Sequence, residues 1–240
     1  MKHQDWVRDI REYLGELTVV ASPEQVDLLA RHLQLVADAN QRVNLTRLIE
    51  PRDTVRLHTG DSLTILGDVA DGPPGRMVDM GSGAGFPGLP LAIMTGRSTV
   101  LLDSVGKKVR ELATMIVDLG LSDSVTARAS RAEALARAEP AGFAIVTARA
   151  LAELPAIVEL ASPLMQQGGV LVCMKGNPSR SEAARGRETA AIVGMEQEAI
   201  REFDLPGGAG HRTVIIYRKT GSPTVPLPRR EGLAQHNPLA

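Results

Sequence analysis

The run Asp79-Met-Gly81-Ser-Gly83-Ala-Gly85-Phe-Pro-Gly88 carries the strongest chemical signal in the chain. It follows an apolar β-like run and opens a helical one. Glycines let the backbone turn sharply and approach a ligand closely, and the helix behind the turn offers unpaired N–H groups at its positive end. Gly83, Gly85 and Gly88 match the G-x-G-x-x-G spacing of nicotinamide-dinucleotide sites. Asp79 changes the balance. A carboxylate ahead of the loop can organise it and reach the ammonium of a methionine moiety, whereas beside a pyrophosphate it would be a liability. The pattern therefore favours S-adenosylmethionine over a nicotinamide cofactor. Asp103 closes the next β-like run, 22 residues after Gly81. It can accept both ribose hydroxyls of either cofactor. Ser130-Arg-Ala132-Glu133 follows the third run, at the loop that borders the adenine ring in such a fold, where a backbone N–H or a carboxylate could read its edge.

Methyl transfer from a sulfonium is an in-line displacement that mainly requires positioning. The target atom decides what else is needed. Carbon methylation of a pyrimidine calls for an attacking cysteine, and the single cysteine, Cys173, lies inside the apolar run Gly-Val-Leu-Val-Cys-Met. Exocyclic amines are usually methylated beside an Asn/Asp-Pro-Pro-aromatic turn after the fourth strand. Here that place reads Thr147-Ala-Arg149-Ala. A ring nitrogen that already bears a lone pair, such as guanine N7, needs no base. Arg149 and Lys175 stand at the carboxyl ends of the fourth and fifth strands and are the candidate catalytic residues. Either charge could hold a phosphate or a base edge, or serve a salt bridge at the domain edge. Lys107 and Lys108 form a basic pair after Asp103.

These residues need a scaffold. From about residue 4 to 70 the pattern is helical: Trp6, Ile10, Tyr13 and Leu14 share one face, and Ser22-Pro23-Glu24-Gln25 is a helix start. A further helix is expected over 53–66. Asp71-Gly-Pro-Pro-Gly75 breaks the pattern. Beyond it, β-like runs at 76–80, 98–102, 125–127, 143–146 and 170–174 alternate with helical stretches, which predicts a parallel sheet covered on both faces. A last β-rich run covers 211–218. The expected organisation is α/β: a helical N-terminal extension (1–72), a Rossmann-like class I methyltransferase core (73–220) and a disordered, proline-rich tail (221–240). The net charge of −1 and the 2% aromatic content argue against a dedicated nucleic-acid binder with stacking platforms. A lone cysteine supports neither disulfides nor a cysteine metal cluster, so no metal is expected. Charged residues interrupt the start of the chain, and no run of about 18 apolar residues occurs. The expectation is a cytoplasmic enzyme with no membrane association.

The ordered series Asn44-Leu-Thr46, His58-x-x-Asp61-Ser62, the glycine loop with Leu89-Pro-Leu-Ala-Ile93, Leu101-Leu-Asp103-Ser-x-Gly-Lys107-Lys108, Arg131-Ala132-Glu133, Arg149-Ala and Lys175-Gly resembles the bacterial 16S rRNA guanine-N7 methyltransferases, also called glucose-inhibited division protein B. The resemblance implies S-adenosylmethionine as cofactor. It also implies N7 methylation of the guanine numbered 527 by rRNA convention, with 16S rRNA in the small ribosomal subunit or an assembly intermediate as partner. It places cofactor contacts at Gly81, Phe86, Ala132, Glu133 and Arg149, adding to Asp79, Gly83, Gly85 and Asp103. The motifs at Asn44, Thr46, His58 and Asp61, with Lys107 and Lys108, are implied to shape the RNA site. Leu57 stands where the family often has Arg, and Ala84 where it often has Pro. A small-molecule methyltransferase, a nicotinamide-dependent oxidoreductase and a non-catalytic RNA-binding module remain as alternatives.

Overall fold

The computed structural model describes residues 2–46 and 50–240. Two helices open the chain, α1 (His3–Glu16) and α2 (Pro23–Asn40). At the start of α2 the Ser22 Oγ accepts from the Gln25 N–H and the Gln25 Oε1 accepts from the Ser22 N–H, closing a reciprocal cap ahead of Pro23. The helix expected over 53–66 is broken into α3 (Pro51–Thr54), a π-turn over Val55–Gly60, α4 (Asp61–Leu63) and α5 (Leu66–Ala70).

After the glycine- and proline-rich break come β1 (Met77–Met80), α6 (Gly88–Thr95), β2 (Thr99–Asp103), α7 (Gly106–Asp118), β3 (Val125–Ala129), α8 (Ala132–Ala138), β4 (Phe143–Arg149), α9 (Leu154–Ala161), β5 (Met165–Lys175), α10 (Arg180–Ile192), β6 (Met195–Asp204), β7 (His211–Lys219) and α11 (Leu233–His236). The strands form one sheet in the order β3-β2-β1-β4-β5-β7-β6. The first five are parallel, and β7 runs antiparallel to both β5 and β6. Strand order reverses beside β1, where β2 and β4 flank it, and ligands bind at such switch points in open α/β sheets.

Side chains alternate across the sheet, and each face has its own core. Val170, Val172 and Met174 of β5 join α1, α2, α6 and α7 on one face, while Leu171 and Cys173 join α8, α9 and α11 on the other. The N-terminal helices are therefore a layer on the sheet: Leu29 and Leu33 share a cluster with Leu89, Leu101 and Leu112. Cys173 is fully buried, and burial pushes its thiol up to about 12, so it is an inert core residue.

Two findings depart from expectation. Strand β6 carries no apolar run. Its sequence Met-Glu-Gln-Glu-Ala-Ile-Arg-Glu-Phe-Asp exposes most of its residues at the sheet edge, where charged side chains protect against further pairing. The stretch from Gly221, expected to be disordered, packs back on α9: Ala234 is buried, and the Arg229 guanidinium donates to both oxygens of the buried Glu159 at 2.7 and 2.6 Å. A buried carboxylate left unpaired is costly, and this pairing holds the terminal segment in place. Among the described residues no helix is long and apolar enough to cross a membrane.

Candidate functional site

The loop after β1 is held from beneath. Asp79 is fully buried: its Oδ1 accepts from the Thr147 hydroxyl of β4 at 2.8 Å, and its Oδ2 accepts from the Gly88 N–H at 3.0 Å. A Cβ at Gly88 would sit 2.6 Å from the Asp79 Cβ and 2.5 Å from Leu101, so glycine is required for the helix to come this close. Burial raises the Asp79 pKa, and the Thr147 and Gly88 bonds oppose that shift. Its oxygens tie β1, β4 and α6 together, an arrangement in keeping with a carboxylate that organises the loop.

Above the loop, at the carboxyl ends of β1 and β2, lies a cavity. The residues lining it include Gly81, Leu102, Asp103, Ala132, Glu133 and Leu151. Asp103 is fixed by two backbone donors: its Oδ2 accepts from Gly83 N–H at 3.0 Å and its Oδ1 from Val105 N–H at 2.8 Å. Each carboxylate oxygen keeps a further lone pair. A diol acceptor, small residues and an apolar wall in one cleft fit a nucleoside: a hydroxylated sugar at Asp103 and a flat ring between aliphatic side chains. Of the expected cofactor residues, Gly81, Asp103, Ala132 and Glu133 line this cavity together.

Phe86 and Arg149 do not line it; they sit in a second constellation. Phe86 is buried between two imidazoles, stacked on His32 and on His58 with ring centroids 4.5 Å apart in each case. The Arg149 Nη1 donates to the Leu57 carbonyl at 2.9 Å and to Asp61 Oδ2 at 3.0 Å, and its Nη2 donates to His58 Nδ1 at 3.3 Å. A guanidinium only donates, so His58 Nδ1 is the acceptor, and its Nε2–H donates to the Thr46 hydroxyl at 2.8 Å. The other oxygen of Asp61 accepts from Arg212 Nε at 2.7 Å. Thr46, His58, Arg149, Asp61 and Arg212 thus form one chain of hydrogen bonds from the helical segment through β4 to β7.

A second cavity opens on this chain, walled by Leu57, His58, Arg149, Met174, Lys175 and Arg212 among others. The Lys175 ammonium is paired with Glu182 at 2.7 Å and donates to the Ala152 carbonyl at 2.9 Å, so it contributes a neutralised wall, not an open charge. Ala150, with φ +50°, lines both cavities. Asn44 and Lys107 are exposed and Lys108 is half-buried at the start of α7; they are not among the residues lining either cavity. Arg212, Thr147 and His32 were not foreseen. For Arg212 the available signal was a cation heading a β-rich run; for the other two there was none.

Both stacked imidazoles are held neutral. Burial lowers His32 to about 4, and burial followed by the Arg149 charge lowers His58 to about 3. The His32 Nε2–H donates to the Ala84 carbonyl at 2.9 Å, which leaves its buried Nδ1 without a partner. Unfolded histidine takes up a proton near pH 6.5. Stability is accordingly complete above that pH and falls as pH drops from about 6.5 toward about 4 for His32 and about 3 for His58, by on the order of 1 kcal/mol per pH unit for each histidine. Denaturant midpoints measured from pH 7.5 downward should show the fall; a flat profile would mean that the imidazoles titrate freely.

Residues 25–211 match the family described as GidB, rRNA small subunit methyltransferase G. The chain is 40% identical to the Ribosomal RNA small subunit methyltransferase G of Deinococcus radiodurans over 96% of this chain and 91% of that protein. It is 35% identical to that of Desulfitobacterium hafniense over 95% and 98%. Among solved structures, the fold is similar to an O-methyltransferase from Bacillus cereus in complex with SAH, with a TM-score of 0.58 and 17% identity, covering 91% of this chain and all of that one.

Proposed function

The chain belongs to the rRNA small subunit methyltransferase G family, and from that premise we propose that it transfers the methyl group of S-adenosylmethionine to N7 of the 16S rRNA guanine that the sequence resemblance implies. The carrying observation is that Ala150, with φ +50°, lines both cavities, so the two sites are neighbours. In-line displacement needs donor and acceptor side by side, and adjacent cavities can hold them so.

S-adenosylmethionine, when bound, supplies a methyl group on a sulfonium, an electrophile that needs no activation by the protein. Asp103 accepts the ribose hydroxyls, Ala132 and Glu133 border the adenine, and Gly81 leaves room for the backbone to approach. On the acceptor side Arg212 and Arg149 present guanidinium donors beside the apolar Leu57 and Met174, a combination suited to a base plane and its polar edge or phosphate. Asp61 neutralises much of that positive charge, so the site does not repel a sulfonium. No side chain need remove a proton, because N7 already carries a lone pair. With a net charge of −1, long-range attraction to RNA is weak, and a folded small subunit or assembly intermediate in the cytoplasm supplies much of the recognition surface.

The test is transfer of labelled methyl to small ribosomal subunits from cells lacking this gene, with the modified nucleotide mapped. The expected result is label on a single N7-methylguanine of 16S rRNA. No label despite proven cofactor binding would move the acceptor to another RNA or to a small molecule.

A further inference from the structure

The first cavity has a wall that belongs neither to the glycine loop nor to the sheet: Gln235, from the terminal segment beyond the residues that match the family. Three anchors hold that segment on the protein. Arg229 is paired with Glu159, whose Oε2 also accepts from the Leu239 N–H at 3.2 Å. Arg137 donates to the Arg229 carbonyl at 3.0 Å. Arg185 donates to the Ala240 carbonyl at 3.1 and 3.0 Å. Between the anchors Gln235 reaches the cavity wall. The Gly232 N–H donates to Glu133 Oε1 at 2.8 Å, and Arg131 Nη1 donates to Gln235 Oε1 at 3.2 Å.

Both central bonds bear on ligand recognition. Glu133 is only 5% exposed, and the Gly232 N–H orients its carboxylate at the edge assigned to adenine. Arg131 can only donate, so it fixes the Gln235 amide with its oxygen toward the guanidinium and leaves two N–H donors for another partner. We propose that residues 229–240 form a strap that completes the adenine side of the cofactor cavity, with Gln235 a cofactor-binding residue and Gly232 the group that positions Glu133. The proposal rests on the assignment of this cavity to S-adenosylmethionine.

The test is calorimetric titration of the full chain and its variants with S-adenosylhomocysteine. Removal of one neutral hydrogen bond in Gln235→Ala should weaken binding by about 3- to 10-fold, and a chain ending at Pro228 by at least about 30-fold, since it loses Gln235 and the Glu133 orientation together. Amide hydrogen exchange over 230–239 should slow when the ligand is added to the full chain. Because truncation leaves Glu159 without its arginine and so lowers stability, Gln235→Ala decides if the short chain fails to fold. Unchanged affinity in Gln235→Ala, with no ligand-dependent slowing of exchange, would reduce the strap to a structural brace. Tighter binding in the short chain would make it a competitor for the cavity. Absence of binding by the full chain would overturn the cofactor assignment, and the strap's role with it.

Discussion

Gly81→Val should bind S-adenosylmethionine at least about 100-fold more weakly than the parent chain, on the order of 3 kcal/mol, while the protein still folds. Two effects combine. Gly81 has φ +76°, a region that costs a residue with a Cβ about 1–2 kcal/mol and a β-branched residue more. An added Cβ would also lie 2.7 Å from the Leu151 Cδ1. Leu151 can move, but it lines the same cavity, so yielding means filling the ligand's space. Gly81→Ala should show a smaller loss, about 10-fold. Calorimetry with S-adenosylhomocysteine checks both variants. Ordinary affinity in the valine variant would show that the loop does not cradle the cofactor.

Asp61→Ala should be the most damaging single change in the acceptor half of the site. Asp61 is 3% exposed and holds Arg149 and Arg212. Removing it leaves two largely buried guanidiniums without a counter-charge, a change that costs about 3–5 kcal/mol. The loss should appear as a lower denaturant midpoint with an unchanged slope. Methyl transfer should fall at least about 100-fold, because both arginines that wall the second cavity lose their common anchor. Cofactor affinity should change little, since Asp61 does not line the first cavity. Asp61→Asn, which keeps one acceptor and the shape, should lie between. Equal loss of cofactor affinity and turnover would mean that the two cavities are one functional unit.

The two variants separate what each half of the site requires. The cofactor half depends on backbone shape and one carboxylate, Asp103. The acceptor half depends on a charge network whose members come from the helical segment, β4 and β7. The strap would add a third contribution, from the end of the chain.

How far the sequence reaches follows from the range of the forces involved. The glycine loop, the acid after β2, the Ser22-Pro23 helix start and the break at 71–75 are local: backbone freedom, capping and hydrophobic period act within a few residues, so they are legible along the chain. The inner parallel strands β1, β2, β4 and β5 were readable because burial on both faces leaves largely apolar runs. Edge strand β6 was not, because exposure replaces that pattern with charge. Asp79 shows the limit more finely. Its place before the loop was evident, but only the packed sheet put Thr147, 68 positions away, against one oxygen and Gly88 against the other. The Arg149–Asp61–Arg212 bridge joins residues 88 and 151 positions apart, and Arg229 meets Glu159 across 70. No local pattern encodes such pairs. They exist because folding buries each carboxylate where the cost of leaving it unpaired exceeds the cost of ordering a distant arginine, and that balance is decided only in the tertiary structure.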